Sequence, residues 1–140
     1  MRAVYEALFI SFIGVRQDSL AKMSSPSPSI PPFRPDGYLP EGLFVCSEAE
    51  VLFRFGTSNR RRRRLALRLR RWIALGQQVK APRLLVDGSF VTAREEPHDI
   101  DTVIFLPMDF YQQIEREYEP ALELDRDVAN PLPGRNLCRR

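Results

Sequence analysis

Two short apolar runs that lie close together in the chain restrict its fold more than any other feature. The runs RLLVDG and DIDTVIFL predict buried strands over residues 83–87 and 99–106. Neighbouring parallel strands need a crossover connection of about a dozen residues or more. Because the segment between these two runs is too short for such a crossover, we expect the strands to run antiparallel if they are neighbours.

Helical patterns on both sides of these runs favour an α/β (α+β) fold, with helices packed on a small mixed sheet. A serine–glutamate capping box predicts a helix over residues 48–55, and a cap offered by Thr57, Ser58 or Asn59 predicts a second over residues 60–75. A third helix is expected over residues 110–119. Gly76 and Pro120 are expected to end the last two helices. The apolar stripe of the second helix is Leu65, Leu69, Trp72 and Ile73.

Composition divides the chain into four segments. Residues 1–23 are expected to be an N-terminal extension, and three alternatives are open for it: a signal peptide, a stretch upstream of a true start at Met23, or a short amphipathic helix. Residues 24–46 form a Pro-rich strap, in which proline excludes a helix or a central strand. Residues 47–127 form the folded domain, and residues 128–140 are expected to be a disordered tail.

The overall composition suits a soluble globular domain, with 44% hydrophobic and 28% charged residues. No apolar run approaches the roughly 20 residues that a membrane-spanning helix needs, so no membrane partner is expected. Cys46 and Cys138 lie far apart and the chain has one histidine. This pattern argues against a zinc site of cysteine and histidine and against a disulfide framework, and it favours a reducing cytoplasm.

Charge is concentrated in two blocks of opposite sign. Eight arginines lie between Arg60 and Arg71, whereas eleven acidic and two basic residues lie between Glu95 and Asp127. The arginine block is a candidate contact for nucleic acid phosphates, and a solvated helix face is the alternative. The aromatic residues of a single-strand binding platform are missing around it. The candidate contacts are Arg60, Arg61, Arg62, Arg63 and Arg64.

Two aspartates at the start of the second strand predict a metal site. Residues i and i+2 of a strand point to one face, so Asp99 and Asp101 present their carboxylates together. Such carboxylates repel each other unless a cation lies between them, and Mg²⁺ typically takes one or two carboxylates plus substrate phosphate. Gly88 and Ser89 follow the first strand, where turn amides and a hydroxyl can hold that phosphate. The alternative is that the aspartates only end a strand or cap a loop.

This order of strand, Gly-Ser, nine residues and Asp-hydrophobic-Asp resembles the signature of the polymerase-β-like nucleotidyltransferase superfamily. Over residues 30–106, the strap, the Arg-rich helix and the loop look like an uncharacterised bacterial subgroup of it. The resemblance implies a palm-like fold and Mg²⁺- or Mn²⁺-dependent transfer of a nucleoside monophosphate from an NTP to a hydroxyl. It implies that Asp99 and Asp101 are catalytic metal ligands and that Gly88 and Ser89 hold the nucleotide phosphates. The acceptor, whether protein, small molecule or RNA, stays open.

The sequence departs from the superfamily pattern at three points. No second glycine separates Gly-Ser from the aspartates, and His98 stands where many members have serine. The third carboxylate, usually on a later strand, has only Glu123 as a weak candidate. We therefore expect the C-terminal part to be truncated or changed in frame near residue 128. The alternative functions are a catalytically inactive protein that binds nucleic acid or a protein partner through the Arg60–Arg71 helix, and a gene fragment without independent function.

Overall fold

The computed structural model describes residues 6–12, 29–129 and 135–139. These residues form five strands, four α-helices and one short 3₁₀ turn (Ser89–Val91). The strands are β1 (Glu6–Ser11), β2 (Gly42–Val45), β3 (Arg83–Asp87), β4 (Ile100–Phe105) and β5 (Arg135–Arg139). The helices are α1 (Glu48–Phe55), α2 (Arg60–Gln78), α3 (Phe110–Glu115) and α4 (Glu119–Ala129).

The strands form one mixed sheet in the order β2-β1-β3-β4-β5. β1 pairs in parallel with β2 and antiparallel with β3, and β4 pairs in parallel with β5. The predicted antiparallel pairing of β3 with β4 is confirmed. Helices α3 and α4 lie in the connection from β4 to β5, as the parallel pairing of those strands requires. The predicted fold class, a small mixed sheet with helices, is therefore confirmed.

Strand β1 overturns the prediction that residues 1–23 stand apart from the fold. Glu6–Ser11 lie in the interior of the sheet rather than in a helix or an appended segment. Leu8 and Ile10 are buried, with Leu8 in register with Val86 of β3. The physical reason is a short continuous apolar run, Ala7 to Ile10, which is typical of a strand in the interior of a sheet. The other residues of this predicted extension, except Phe12, lie outside the described residues.

Strand β5 likewise overturns the predicted disorder of residues 128–140 for Arg135–Arg139, which pair with Ile100–Ile104 of β4. Pairing at a sheet edge uses main-chain hydrogen bonds, so it does not need the apolar periodicity that this segment lacks. The first residues of that segment also continue α4 as far as Ala129. A strand therefore follows α4 in the chain and pairs with β4.

The Pro-rich strap has no helix or strand between residues 29 and 41, as predicted, and it becomes an edge strand only beyond its last proline. Ile30 and Leu39 are buried in the core and attach the strap to the domain, whereas Tyr38 and Leu43 are exposed. The turn at Gly37 is closed by a hydrogen bond from its amide to the Arg34 carbonyl, at 2.9 Å.

Helix α1 begins at the predicted capping box. The Glu50 amide donates to Ser47 Oγ at 3.2 Å, and the Ser47 amide donates to Glu50 Oε2 at 2.7 Å. Helix α2 buries its predicted apolar stripe but passes the predicted end at Gly76. A Cβ at position 76 would lie 3.0 Å from the Phe12 ring and 3.1 Å from Ile104 Cδ1, so this glycine lets the helix approach the sheet.

The predicted end at Pro120 is also wrong. Helix α3 is short and ends at Glu115, and α4 begins at Glu119 with Pro120 in its first turn. Proline is tolerated there because the amides of a first helical turn have no intrahelical acceptor. The segment therefore contains two helices where one was expected.

The two faces of the sheet have different environments. One face packs against the helices and carries the apolar core, in which the sheet contributes Leu8, Ile10, Leu84, Val86, Ile100 and Ile104. The opposite face carries the alternate residues of β4, which are Asp101, Val103 and Phe105 and are partly exposed. In the part of the chain that the structure describes, no helix is long and apolar enough to cross a membrane.

Candidate functional site

The turn after β3 brings the predicted site residues together. Gly88 has φ 88° and ψ −176°, a conformation that favours glycine. A Cβ at position 88 would lie 3.0 Å from the Asp101 amide nitrogen and 3.3 Å from Asp99 Oδ1. Gly88 therefore lets the turn lie directly against the start of β4, and Ser89 begins the 3₁₀ turn beside it.

Ser89 is bound to the start of β4. Its hydroxyl donates to Asp99 Oδ1 at 2.6 Å and its amide donates to the same oxygen at 2.9 Å. The same hydroxyl accepts from the amides of His98 and Asp99, at 2.8 and 3.0 Å. Sequence reasoning expected Ser89 as a phosphate donor; in this structure it orients the Asp99 carboxylate.

These contacts set the protonation of Asp99. Burial of the carboxyl opposes its ionisation, but hydrogen bonds from the Ser89 hydroxyl and amide outweigh burial, and the pKa of Asp99 lies below its ordinary value. Asp99 is therefore a carboxylate across the neutral range. Oδ1 receives both Ser89 donors, and no described residue donates to Oδ2 in a hydrogen bond that the structure shows. The site thus presents an anionic oxygen beside the Gly88 turn.

Ser89→Ala is expected to raise the pKa of Asp99 toward the ordinary aspartate value, because it removes the hydroxyl and leaves only the amide donor. A lowered folded-state pKa contributes stability that is present above the unfolded-state pKa and is lost as pH falls through the folded-state pKa. Below about pH 4, the free energy of unfolding should therefore fall less steeply in the variant than in the wild type. Carboxyl ¹³C NMR titration measures the pKa directly. Ser47→Ala is the control, and an unchanged Asp99 pKa in Ser89→Ala would contradict the assignment.

Asp87, the last residue of β3, is a further acidic residue of the site. The register of β3 and β4 places it directly opposite Asp101, on the same face of the sheet. Directly opposed residues have Cβ atoms about 4.5–5.5 Å apart, where like charges destabilise the pair. Counting residues outward from the Gly88 turn along two antiparallel strands places Asp87 opposite Asp101, and this count is the signal by which the sequence could have identified the pair.

A cleft of about 640 Å³ opens between the turn of the strap and the Gly88 turn. This volume is in the range of small-molecule sites. The cleft is lined by Asp36, Gly37, Tyr38, Asp87, Gly88, Ser89, Val91, Thr92, Ala93 and Arg94. The Ala93 amide donates to the Gly37 carbonyl at 2.8 Å, which joins the two walls. The cleft offers an exposed aromatic ring at Tyr38 and an exposed cation at Arg94, whereas Asp99 and Asp101 do not line it.

The arginine run divides into buried and exposed members. The prediction of a nucleic acid contact is wrong for Arg62, which is 5% exposed. Its guanidinium donates to the carbonyls of Phe55, Phe90, Thr92 and Arg94. Arg61 donates to the carbonyls of Pro97 and His98, and Arg63 donates to that of Thr57. Among the described residues, the side chains of Arg60 and Arg64 have no hydrogen-bond partner and both are exposed.

Burial lowers the pKa of Arg62, although a guanidinium stays charged in proteins. The helical spacing of Arg62 from Leu65 and Leu69, at i+3 and i+7, extends the apolar stripe of α2 to this residue. That spacing is the signal by which the sequence could have identified Arg62 as an inward-facing residue.

Glu123, the weak third candidate for a metal ligand, has a structural role instead. It lies on α4, where its carboxylate forms an ion pair with Arg71 of α2. Arg71 also contacts Asp127 at 3.2 Å. In β5, where the resemblance expects a third carboxylate, Asn136 is in register with Asp101. Among the described residues, no group of three or more His, Cys, Asp or Glu side chains is arranged to hold a metal ion.

Fold and site together define a small α+β domain in which a Gly-Ser turn lies against an aspartate pair at one end of a mixed sheet. Residues 31–133 match a family of unknown function, DUF6932, and the chain belongs to this family. The match runs from the strap to the end of α4 and includes the whole candidate site, whereas β1 and β5 lie outside it. No curated protein and no solved structure matches the chain.

Proposed function

We propose that the protein is a metal-dependent nucleotidyltransferase with a palm-like domain, which transfers a nucleoside monophosphate from an NTP to a hydroxyl. The observation that carries the proposal is the close approach of the Gly88 turn to the start of β4. It places Asp99 and Asp101, the residues that the resemblance to the superfamily makes metal ligands, directly beside a turn that borders an open cleft.

The donor set fits Mg²⁺ or Mn²⁺ that is delivered with a nucleotide. Mg²⁺ is commonly bound through one or two carboxylates together with substrate phosphates, rather than by a cage of protein ligands. Two hard carboxylate ligands, Asp99 and Asp101, match that mode. When bound, the cation would neutralise the charge that grows on the α-phosphate and on the leaving pyrophosphate.

Other residues of the chain are proposed to bind the nucleotide and to accept a proton. Gly88 and Arg94 both line the cleft, where Arg94 offers a cation to phosphate oxygens. The exposed Tyr38 ring can stack on the base. The acceptor oxygen forms a bond to the α-phosphorus, the bond to pyrophosphate breaks, and Asp87, which lines the cleft, accepts the proton of the acceptor hydroxyl.

The test is incubation of the protein with each NTP and Mg²⁺ or Mn²⁺, followed by detection of pyrophosphate and of a labelled adduct. Release of pyrophosphate with one or more nucleotides is expected. The proposal is wrong if no nucleotide binds, with or without metal. The cytoplasm, where Cys46 stays a reduced thiol, is the proposed location. Burial raises the pKa of Cys46 to about 12, which makes it unsuited to act as a nucleophile.

A second candidate function is a catalytically inactive protein that binds nucleic acid through α2. Arg60, Arg64 and Arg68 are spaced at i, i+4 and i+8, so they lie along one side of the helix. None of the three forms an ion pair within the part of the chain that the structure describes. By contrast, Arg71 is neutralised by two acidic residues of α4. The three arginines are therefore the members of the run that are available to phosphates.

Replacing Arg60, Arg64 and Arg68 with glutamine is expected to weaken nucleic acid binding and its salt dependence if this second function holds. The slope of log K against log[salt] should fall by about 0.9 for each lost contact with duplex DNA, or about 0.7 with single strands. Fluorescence anisotropy over a salt series measures this slope. The control replaces Lys80, Arg116 and Arg126 with glutamine, which changes the net charge equally. Equal slopes in the two triple variants would contradict an arginine-specific surface.

A further inference from the structure

The start of α2 is joined to the loop that leads into the candidate site. We call this loop, residues 90–98, the site loop. Its first residues follow the Gly88–Ser89 turn and its last residue precedes Asp99, so both ends of the loop belong to the site. The side chains of Asn59, Arg61 and Arg62 all donate to backbone carbonyls of the site loop. The order of this loop therefore depends on the beginning of α2.

Arg62 makes the central contacts. Its Nη1 donates to the Phe90 carbonyl at 2.7 Å, and its Nη2 donates to the carbonyls of Thr92, at 2.7 Å, and Arg94. Nη1 also donates to Phe55 at the end of α1, at 3.1 Å. Burying a guanidinium without a carboxylate is unfavourable, and no described acidic side chain pairs with Arg62. The carbonyls of the site loop compensate its charge, and it satisfies carbonyls that the fold of the loop would otherwise leave unpaired.

Arg61 and Asn59 extend these contacts toward the aspartates. Arg61 Nε donates to the Pro97 carbonyl at 2.9 Å, and its Nη2 donates to the His98 carbonyl at 2.6 Å. Asn59 donates to the Glu95 carbonyl. Because the His98 amide in turn donates to Ser89 Oγ, Arg61 is one residue removed from the contact between Ser89 and Asp99.

We propose that Arg61 and Arg62 are positioning residues, which hold the site loop so that Ser89, Asp99 and the wall of the cleft are assembled before a nucleotide binds. The loop also carries Ala93, which binds the Gly37 carbonyl of the strap, so its order sets the shape of the cleft. A site that is ordered in advance avoids the entropic cost of ordering a loop on binding. The nucleotide part of this inference rests on the proposed function.

The test uses Arg62→Lys and Arg61→Gln in the full chain, with Arg64→Gln as the matched control on the same helix. Lysine keeps the charge but cannot reproduce the planar fork that reaches several carbonyls. In hydrogen exchange, peptides that cover the site loop are expected to exchange faster in the first two variants, while β3 and β4 stay protected. Arg64→Gln should match the wild type. Wild-type exchange of the loop in both Arg61→Gln and Arg62→Lys overturns the proposal.

Nucleotide affinity separates positioning from stability. The affinity for an NTP with Mn²⁺ is expected to fall about 10- to 100-fold in Arg62→Lys, the size of effect seen for residues that orient metal ligands. Leu124→Ala, which removes a buried side chain of α4 remote in sequence from the loop, is the destabilised control and should bind as the wild type does. Equal affinities of Arg62→Lys and the wild type overturn the positioning role even if exchange is faster.

Two further experimental outcomes each have a defined interpretation. If Arg62→Lys exposes β3 and β4 to exchange, it does not fold, and Arg61→Gln decides the question because Arg61 is exposed and its loss leaves no cavity. If the wild type binds no nucleotide, the proposed function fails. The proposal that Arg61 and Arg62 order the site loop is then supported or overturned by the hydrogen exchange of the loop alone.

Discussion

Leu8→Asp is expected to unfold the protein. Leu8 is completely buried in β1 and is in register with Val86 on one side and Phe44 on the other. A carboxylate at this position would lie in the apolar core without a partner, at a cost of several kcal/mol. The loss of the leucine side chain adds about 2–5 kcal/mol. Since a domain is stabilised by only about 5–15 kcal/mol in total, the two losses together are of the same order as that margin.

Val45→Asp is the control, because it introduces the same charge on the neighbouring strand at a residue that is 60% exposed. Urea denaturation followed by circular dichroism and by Trp72 fluorescence should give a cooperative transition in the control and none in Leu8→Asp. A chain that begins at Met23, and therefore lacks β1, is expected to behave like Leu8→Asp. A wild-type transition in Leu8→Asp would show that β1 is not part of the sheet.

Asp101→Asn is expected to reduce nucleotidyl transfer by more than about 100-fold. Even residues that only orient metal ligands contribute about 10–100-fold, and Asp101 is proposed as a ligand itself. The amide has nearly the same shape as the carboxyl but carries no charge, so it weakens the hold on a divalent cation. The fold should persist, because the change is nearly isosteric and Asp101 is only partly buried. Pyrophosphate release and Mn²⁺ titration in the presence of nucleotide measure the effect.

Asp109→Asn provides the matched control for this variant. Asp109 is exposed and precedes α3 without capping it through its side chain. The same atomic change there should leave transfer and metal binding unaffected. Full activity of Asp101→Asn would show that the aspartate pair does not take part in the reaction. The arginines of α2 would then be the stronger basis for a function.

The parts of the fold that sequence reasoning predicted depend on residues close together in the chain. The capping box of α1, the cap of α2 and the antiparallel pair β3–β4 each follow from a few neighbouring side chains and one short connection. β1 and β5 pair with strands far away in sequence, and their short runs carry no local signal strong enough to place them. Long-range pairing of this kind is decided by the whole sheet.

The same distinction applies to the candidate site. The Gly88 turn lies against the Asp99 carboxylate and the Asp101 amide, because a turn and a strand pair suffice to bring these two segments together. The hydrogen bonds between Ser89 and Asp99 depend on the fold of the site loop and were not predicted. The prediction for Arg62 was wrong because a run of arginines usually indicates a solvated helix face. Arg62 instead lies on the apolar stripe of α2 and is buried.

The location of β1 and β5 outside the family match has a practical consequence for expression. A fragment cut to residues 31–133 contains every candidate site residue but neither of these strands. In such a fragment β2 loses the strand that joins it to the sheet, and β3 and β4 present unpaired edges on both sides. Open edges of this kind promote association between chains. Recombinant protein trimmed to the homologous region is therefore expected to precipitate or form soluble aggregates. An assay on such a fragment would underestimate the activity of the full chain.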